Sequence, residues 1–127
     1  AWRSSGMTIR PRRVEKPWGY ELIWAETELY VAKILHVNAG EALSVQMHEE
    51  KDETLHLLTG QLILQVGPSP NDLEPVRFEE GDSYRVRPRT VHFMQAVTDV
   101  NVLEASTAHL EDVVRFRDRY GRVLPLD

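Results

Sequence analysis

Residues Gly40 to Gly60 read GEALSVQMHEEKDETLHLLTG, and the reading of this stretch decides the fold. Gln46 and His48 stand two apart, so on a β-strand both side chains fall on one face. Glu53 follows a charged, turn-like run (Glu49, Glu50, Lys51, Asp52) and opens what reads as the next strand. Two neighbouring strands would thus bring three groups of metal-binding type together. Gly40 and Gly60 punctuate the unit as turn glycines.

Outward from this unit, short segments rich in branched and aromatic residues alternate with turn signals. Tyr20 to Ala25, Leu29 to Val37, Ala42 to His48, Glu53 to Thr59 and Gln61 to Val66 read as strands. Val76 to Phe78, Ser83 to Arg87, Val91 to Val97 and Val100 to Ala105 continue the series. Gly67 to Pro75 reads as a surface loop with three prolines. Short strands with turns this frequent point to an all-β sandwich or barrel. At the end of the chain, Leu110, Val113 and Val114 follow helical spacing, with acids before and arginines after them. A capping helix over Leu110 to Arg119 is expected, closed by Gly121.

The chain has 127 residues, 42% hydrophobic and 28% charged, with no cysteine and a net charge of −5. That is the size and composition of one globular domain. A negative balance argues against nucleic acid as a partner, and no apolar run reaches the length of a membrane span. The absence of cysteine fits the cytoplasm. The opening AWRSSGM lacks the apolar core of a signal peptide; Met7 reads as the native start, with an appended remnant before it. The expected organisation is a tail over 1–15 and a single domain over 16–127.

The Gly40–Gly60 spacing resembles the first motif of the cupin superfamily, with Gln46 where a first histidine would stand, then His48, Glu53 and Gly60. Gly81 to His92 keeps the length of the second motif, but Arg87 and Arg89 occupy its proline and glycine positions. In chain order, KPWGY, VAKILHV, the LSVQMH segment and the tail RFRDRYGR resemble the C-terminal domain of type II mannose-6-phosphate isomerases. Leu55 replaces that family's aromatic residue, and no glycine-rich nucleotide loop is present, so nucleotidyl transfer is not expected.

The resemblance implies a double-stranded β-helix, the jelly-roll cupin. It implies one divalent metal ion per chain held by Gln46, His48, Glu53 and His92. An amide oxygen, two imidazoles and a carboxylate suit Zn²⁺ first, with Mn²⁺, Fe²⁺ or Ni²⁺ as alternatives. The implied reaction is interconversion of mannose 6-phosphate and fructose 6-phosphate, with a sugar phosphate as ligand. Another metal-dependent cupin enzyme, such as an oxygenase, and a non-catalytic sugar-binding module are the rival readings.

Lys33 interrupts an apolar strand, and an inward lysine demands a partner or a function. Lys33 and Glu104 are the candidate acid–base residues. Arg85 and Arg87 share a strand face and are candidates to clamp a phosphate. His56, three residues past Glu53, is expected on the opposite face, and His36 and His109 in structural or solvated positions. A stand-alone domain of this size is expected to cover its sheet edges as a homodimer.

Overall fold

A computed structural model describes residues 7–122. Eleven strands and no helix make up the described residues: β1 Arg12–Lys16, β2 Gly19–Glu26, β3 Tyr30–Val37, β4 Val45–Met47, β5 Glu53–Thr59, β6 Leu62–Ser69, β7 Asp72–Val76, β8 Ser83–Val86, β9 Val91–Ala96, β10 Val100–Thr107 and β11 Val114–Arg117. They form two antiparallel sheets, ordered β1-β2-β3-β10-β5-β8 and β11-β4-β9-β6-β7. This is the expected all-β double-stranded β-helix.

Alternation along the strands builds the space between the sheets. In β3, Val31, Lys33, Leu35 and Val37 are buried while their neighbours are half-buried or exposed. The same period of two sets Glu53, Leu55 and Leu57 inward on β5. Trp18, Leu35, Leu55, Leu57, Leu64, Phe78, Met94 and Val102 belong to one hydrophobic cluster. That cluster fills one part of the interior. The polar side chains of Lys33, His48, Lys51, Glu53, His92 and Glu104 are also buried, so part of the interior is charged.

Gly40 and Gly60 have φ of 80° and 99°, the left-handed region that favours glycine. At Gly60 an added Cβ would also lie 2.3 Å from the Asp99 carbonyl oxygen. Arg89 adopts φ 64° where the cupin motif has its glycine. The turn is therefore kept with an arginine in a conformation that costs a non-glycine residue roughly 1–2 kcal/mol.

Three expectations change. First, the helix over Leu110 to Arg119 is absent. The segment turns at His109–Val113 and then forms β11 along the edge of β4, pairing Val114 with Met47 and Arg115 with Gln46. An isolated ten-residue helix is marginal in water, whereas Val113, Val114 and Phe116 suit a strand and the open edge of β4 offers unpaired backbone groups. Arg119 fixes the continuation by donating to the Gly40 carbonyl at 2.7 Å. Second, the loop over Gly67 to Pro75 is largely a hairpin: β6 runs on to Ser69 and β7 begins at Asp72. Pro68 falls on β6 at the register shift between Val66 and Ser69, beyond the last pair with β9, Pro70 in the hairpin turn, and Pro75 on β7, which lies at the sheet edge where a missing donor is tolerated. Third, Arg12 to Glu15 are not tail but the edge strand β1, paired with β2 from Arg12–Ile23 to Lys16–Gly19.

Candidate functional site

The site forms where β4, β5 and β9 approach the interior. Gln46 on β4 pairs with His92 on β9. His48 follows β4 directly, and Glu53 opens β5. The Nε2 atom of His48 lies 3.5 Å from Glu53 Oε2, and that of His92 lies 3.4 Å from Glu53 Oε1. One ligand atom from each of His48, Glu53 and His92 falls within 4.8 Å of the others. All three residues are buried.

Hydrogen bonding fixes the state of both rings. His48 Nδ1 donates to the carbonyl of Asp112, and His92 Nδ1 donates to the carbonyl of Thr90 at 2.9 Å. A carbonyl only accepts, so in both neutral rings Nδ1 carries the proton and Nε2 keeps its lone pair. Both Nε2 atoms are sealed from solvent and have no hydrogen-bond partner among the described residues. Leaving a buried polar atom unpaired is costly. Two such lone pairs converging on one carboxylate match the way protein sites hold a divalent ion, whose ligand atoms stand roughly 3–3.5 Å apart in a tetrahedral zinc site. The residues present therefore fit a metal.

Gln46 lines the cavity beside His48. Its Oε1 accepts from Ser44 Oγ at 2.6 Å, which leaves a second lone pair on the amide oxygen. On Glu53, burial works to raise the carboxyl, but the His48 ring beside it and the Lys51 ammonium outweigh it and hold the group well below the usual carboxylate range. Burial pushes His92 down from its ordinary value, against the opposing pull of Glu53.

In front of this cluster lies a cavity of about 240 Å³. Lys33 and Glu104 both line it, paired across β3 and β10. Lys33 Nζ is 3.3 Å from Glu21 Oε1 and 3.9 Å from Glu104 Oε2. Lys33 thus faces inward, with two carboxylate partners. A further residue joins them that the spacing of the sequence did not single out. Lys51 is buried, with Nζ 2.9 Å from both Glu53 Oε2 and Glu104 Oε2. Burial alone would lower the Lys51 ammonium, but the Glu104 and Glu53 carboxylates win and raise it above the usual lysine value. Lys51 ties the metal-type cluster to the Lys33–Glu104 pair.

Arg85 and Arg87 are not in this cavity. Both are exposed, whereas Val86 between them is buried. Arg85 makes a two-point contact with Asp52, Nε to Oδ1 at 3.1 Å and Nη2 to Oδ2 at 2.6 Å. Alternation was right to put the two arginines on one face, but that face is the outer one. The arginines lining the cavity are Arg12, Arg115 and Arg122. His56 meets Ser83 at 2.8 Å on the outer side, His36 stacks on Tyr20 and bonds Asn101, and His109 bonds Thr107.

A double-stranded β-helix with buried imidazole and carboxylate groups converging at one end of its interior defines a cupin. Within that class the chain belongs to a particular family. The family model described as "Mannose-6-phosphate isomerase C-terminal" matches residues 5–118. The mannose-1-phosphate guanylyltransferase ManC of Salmonella typhimurium is 33% identical over 118 residues, covering 88% of this chain and 23% of that protein. The chain therefore spans about a quarter of the length of the curated relatives it matches. Among solved structures, a Klebsiella pneumoniae protein with a double-stranded β-helix domain superposes with TM-score 0.61 at 14% identity, over 92% of this chain and 90% of that one. A Bacillus subtilis oxalate decarboxylase, described for its Mn(II) centres, gives TM-score 0.70 at 16% identity, over 85% of this chain and 30% of that one. At these identities the structural likeness concerns the fold. Among the described residues no helix is long and apolar enough to cross a membrane.

Proposed function

We propose that this cupin domain is a metal-dependent sugar-phosphate isomerase that interconverts mannose 6-phosphate and fructose 6-phosphate. The observation that carries the proposal is the pair of sealed, unpartnered Nε2 atoms of His48 and His92 facing Glu53, with the Glu104 carboxylate next to them in a cavity. The family membership supports the choice of substrate.

In this reading His48, Glu53 and His92 hold one divalent ion, with Gln46 as a fourth ligand. The donor set accepts Zn²⁺, Mn²⁺, Fe²⁺ or Ni²⁺, and the relative with Mn(II) centres shows that the scaffold accommodates a metal elsewhere. Such an ion supplies Lewis-acid polarisation of the sugar carbonyl. The protein's own groups do the rest. Isomerisation moves one proton between adjacent carbons. In this reading Glu104 accepts it from the carbon beside the carbonyl and returns it to the former carbonyl carbon, while the hydroxyl proton of the first carbon passes to the former carbonyl oxygen. Lys51 and Lys33 keep Glu104 in place and offset its charge in a site where few waters compete. The cavity orients the substrate, which lowers the entropic part of the barrier.

The direct test is conversion of mannose 6-phosphate to fructose 6-phosphate by purified protein loaded in turn with each of the four metals. Turnover that falls by about 100-fold or more in Glu104→Gln supports the reading. Absence of turnover with every metal refutes it.

A further inference from the structure

We propose that Arg115, with Lys16 and Arg122 beside it, forms an anion-binding end of the cavity and receives the phosphoryl group of the substrate. The substrate class rests on the isomerase reading; the anion site itself rests on the following geometry.

Arg115, Gln46 and His92 form one row across three strands: Arg115 pairs with Gln46, and Gln46 pairs with His92. Directly paired residues project from the same face of a sheet, and Arg115 and Gln46 both line the cavity. Two strand spacings put the Arg115 backbone roughly 10 Å from that of His92. A ligand whose reacting carbonyl lies at the imidazole end would thus carry its other end towards Arg115. A sugar phosphate, with carbonyl and phosphate at opposite ends, has that shape.

The charges of the cavity single out the same place. Most lining cations already have partners: Arg12 contacts Glu26, Lys33 contacts Glu21, and Lys51 contacts Glu53 and Glu104. Arg122 is braced by Asp118 through two side-chain hydrogen bonds of 2.8 and 3.0 Å. Arg115 and Lys16 have no carboxylate at ion-pairing distance among the described residues. Arg115 Nε is sealed from solvent and has no hydrogen-bond partner there. A buried guanidinium N–H without an acceptor is costly unless a ligand supplies one. A phosphate monoester supplies several, and a guanidinium fork matches them in pairs. The crowding of like charge is felt by Lys16. Burial lowers its ammonium from the ordinary value, Glu21 opposes this, and Lys33, Arg122 and Arg115 lower it further. An incoming dianion would relieve that repulsion.

The test is titration of the zinc-loaded protein with inorganic phosphate by calorimetry, for wild type, Arg115→Ala, Arg115→Lys, Lys16→Ala and Arg117→Ala. Arg117 shares the strand but bonds Asn71 outside the cavity, so it controls for damage to β11. The account expects wild type and Arg117→Ala to bind phosphate, and Arg115→Ala and Lys16→Ala each to lose about tenfold or more in affinity at unchanged zinc content, with Arg115→Lys between. Lys16 lies on a different strand, so it keeps the test decisive if Arg115→Ala does not fold. Equal phosphate affinity in wild type and both alanine variants, or no binding by wild type at about ten millimolar, overturns the site. The two readings fail separately. Phosphate loss in the variants without sugar-phosphate turnover by wild type leaves the anion site standing and removes the isomerase. Turnover by wild type with an unchanged KM in both alanine variants removes the anion site and leaves the isomerase.

Discussion

Asp112 holds His48 and the loop that follows it. Its backbone carbonyl accepts the His48 Nδ1 proton, and its carboxylate accepts from the backbone N–H groups of Glu49, Glu50 and Lys51 at 3.1, 2.7 and 2.9 Å. These bonds hold the Asp112 carboxyl below its usual range against a desolvation effect in the other direction. One residue of the C-terminal segment therefore sets the tautomer of a candidate ligand and the path of the chain to Glu53. Substitution Asp112→Ala releases three backbone donors and loosens His48. Zinc affinity is expected to fall by about 10- to 100-fold, as when outer partners of metal ligands are removed. Competition with a chromophoric chelator measures this; unaltered affinity in a folded variant would show that the clamp does not serve the site.

Lys51 neutralises two buried carboxylates. Lys51→Met keeps much of the side-chain volume but leaves Glu53 and Glu104 without their shared cation. Breaking a buried pair in this way costs about 3–5 kcal/mol. Thermal melts of the metal-free protein should show that loss, and added zinc should recover part of it, because a metal ion at Glu53 replaces one missing positive charge. A metal-free variant as stable as wild type would mean the lysine is dispensable.

Arg89 occupies a left-handed conformation while its N–H donates to the His48 carbonyl at 2.6 Å. Arg89→Gly keeps that donor and removes the steric penalty. Stability is expected to rise by about 1 kcal/mol, read as a higher denaturation midpoint. A fall would show that the Arg89 side chain contributes more than its backbone strain costs.

Acid should weaken the metal-free protein in two stages. Burial lowers His92 in the fold, so below its ordinary value of 6.5 the unfolded chain binds the proton more readily and stability falls. Glu53 is also lowered in the fold, so the stability it contributes is present above its ordinary value of 4.5 and is lost as pH falls through the folded value. In both windows the unfolded state holds more protons, and stability rises with pH. Denaturation midpoints across about pH 2 to 8 check the sign; the His92→Asn variant should lose the upper stage alone.

The Leu57 side chain sits in the fully buried cluster, away from the charged part of the interior. Leu57→Ala is expected to cost about 2–5 kcal/mol with zinc stoichiometry unchanged in the fraction that stays folded. A change in stoichiometry would show that the apolar cluster and the charged cluster are not separable.

That His48 and Glu53 would meet was legible because a period of two and a short turn place side chains of neighbouring strands on one face; His92 was joined to them only through the resemblance to the second cupin motif. Lys33 drew attention as a cation in an otherwise apolar alternation, but that pattern equally suits an exposed sheet-face lysine, and its burial was not fixed by the sequence. Lys51 was not legible. Its burial depends on Asp112, which lies 61 residues away in the chain, and nothing in a run of four charged residues distinguishes an inward lysine from a solvated one. For Arg85 and Arg87, periodicity gave the shared face but not its direction; buried Val86 between them was the available clue. The final segment misled because Leu110, Val113 and Val114 fit a helical stripe, while the edge of β4 that converts the segment into a strand is contributed by residues about 70 positions earlier.

The most direct measurement is metal content by elemental analysis of wild type, His48→Ala and His92→Ala after zinc loading and desalting, with folding checked by circular dichroism. The account predicts one zinc per chain in wild type and little in either folded variant. Undiminished zinc in both variants, or none in wild type, would contradict the claim that these two imidazoles and Glu53 hold a single ion.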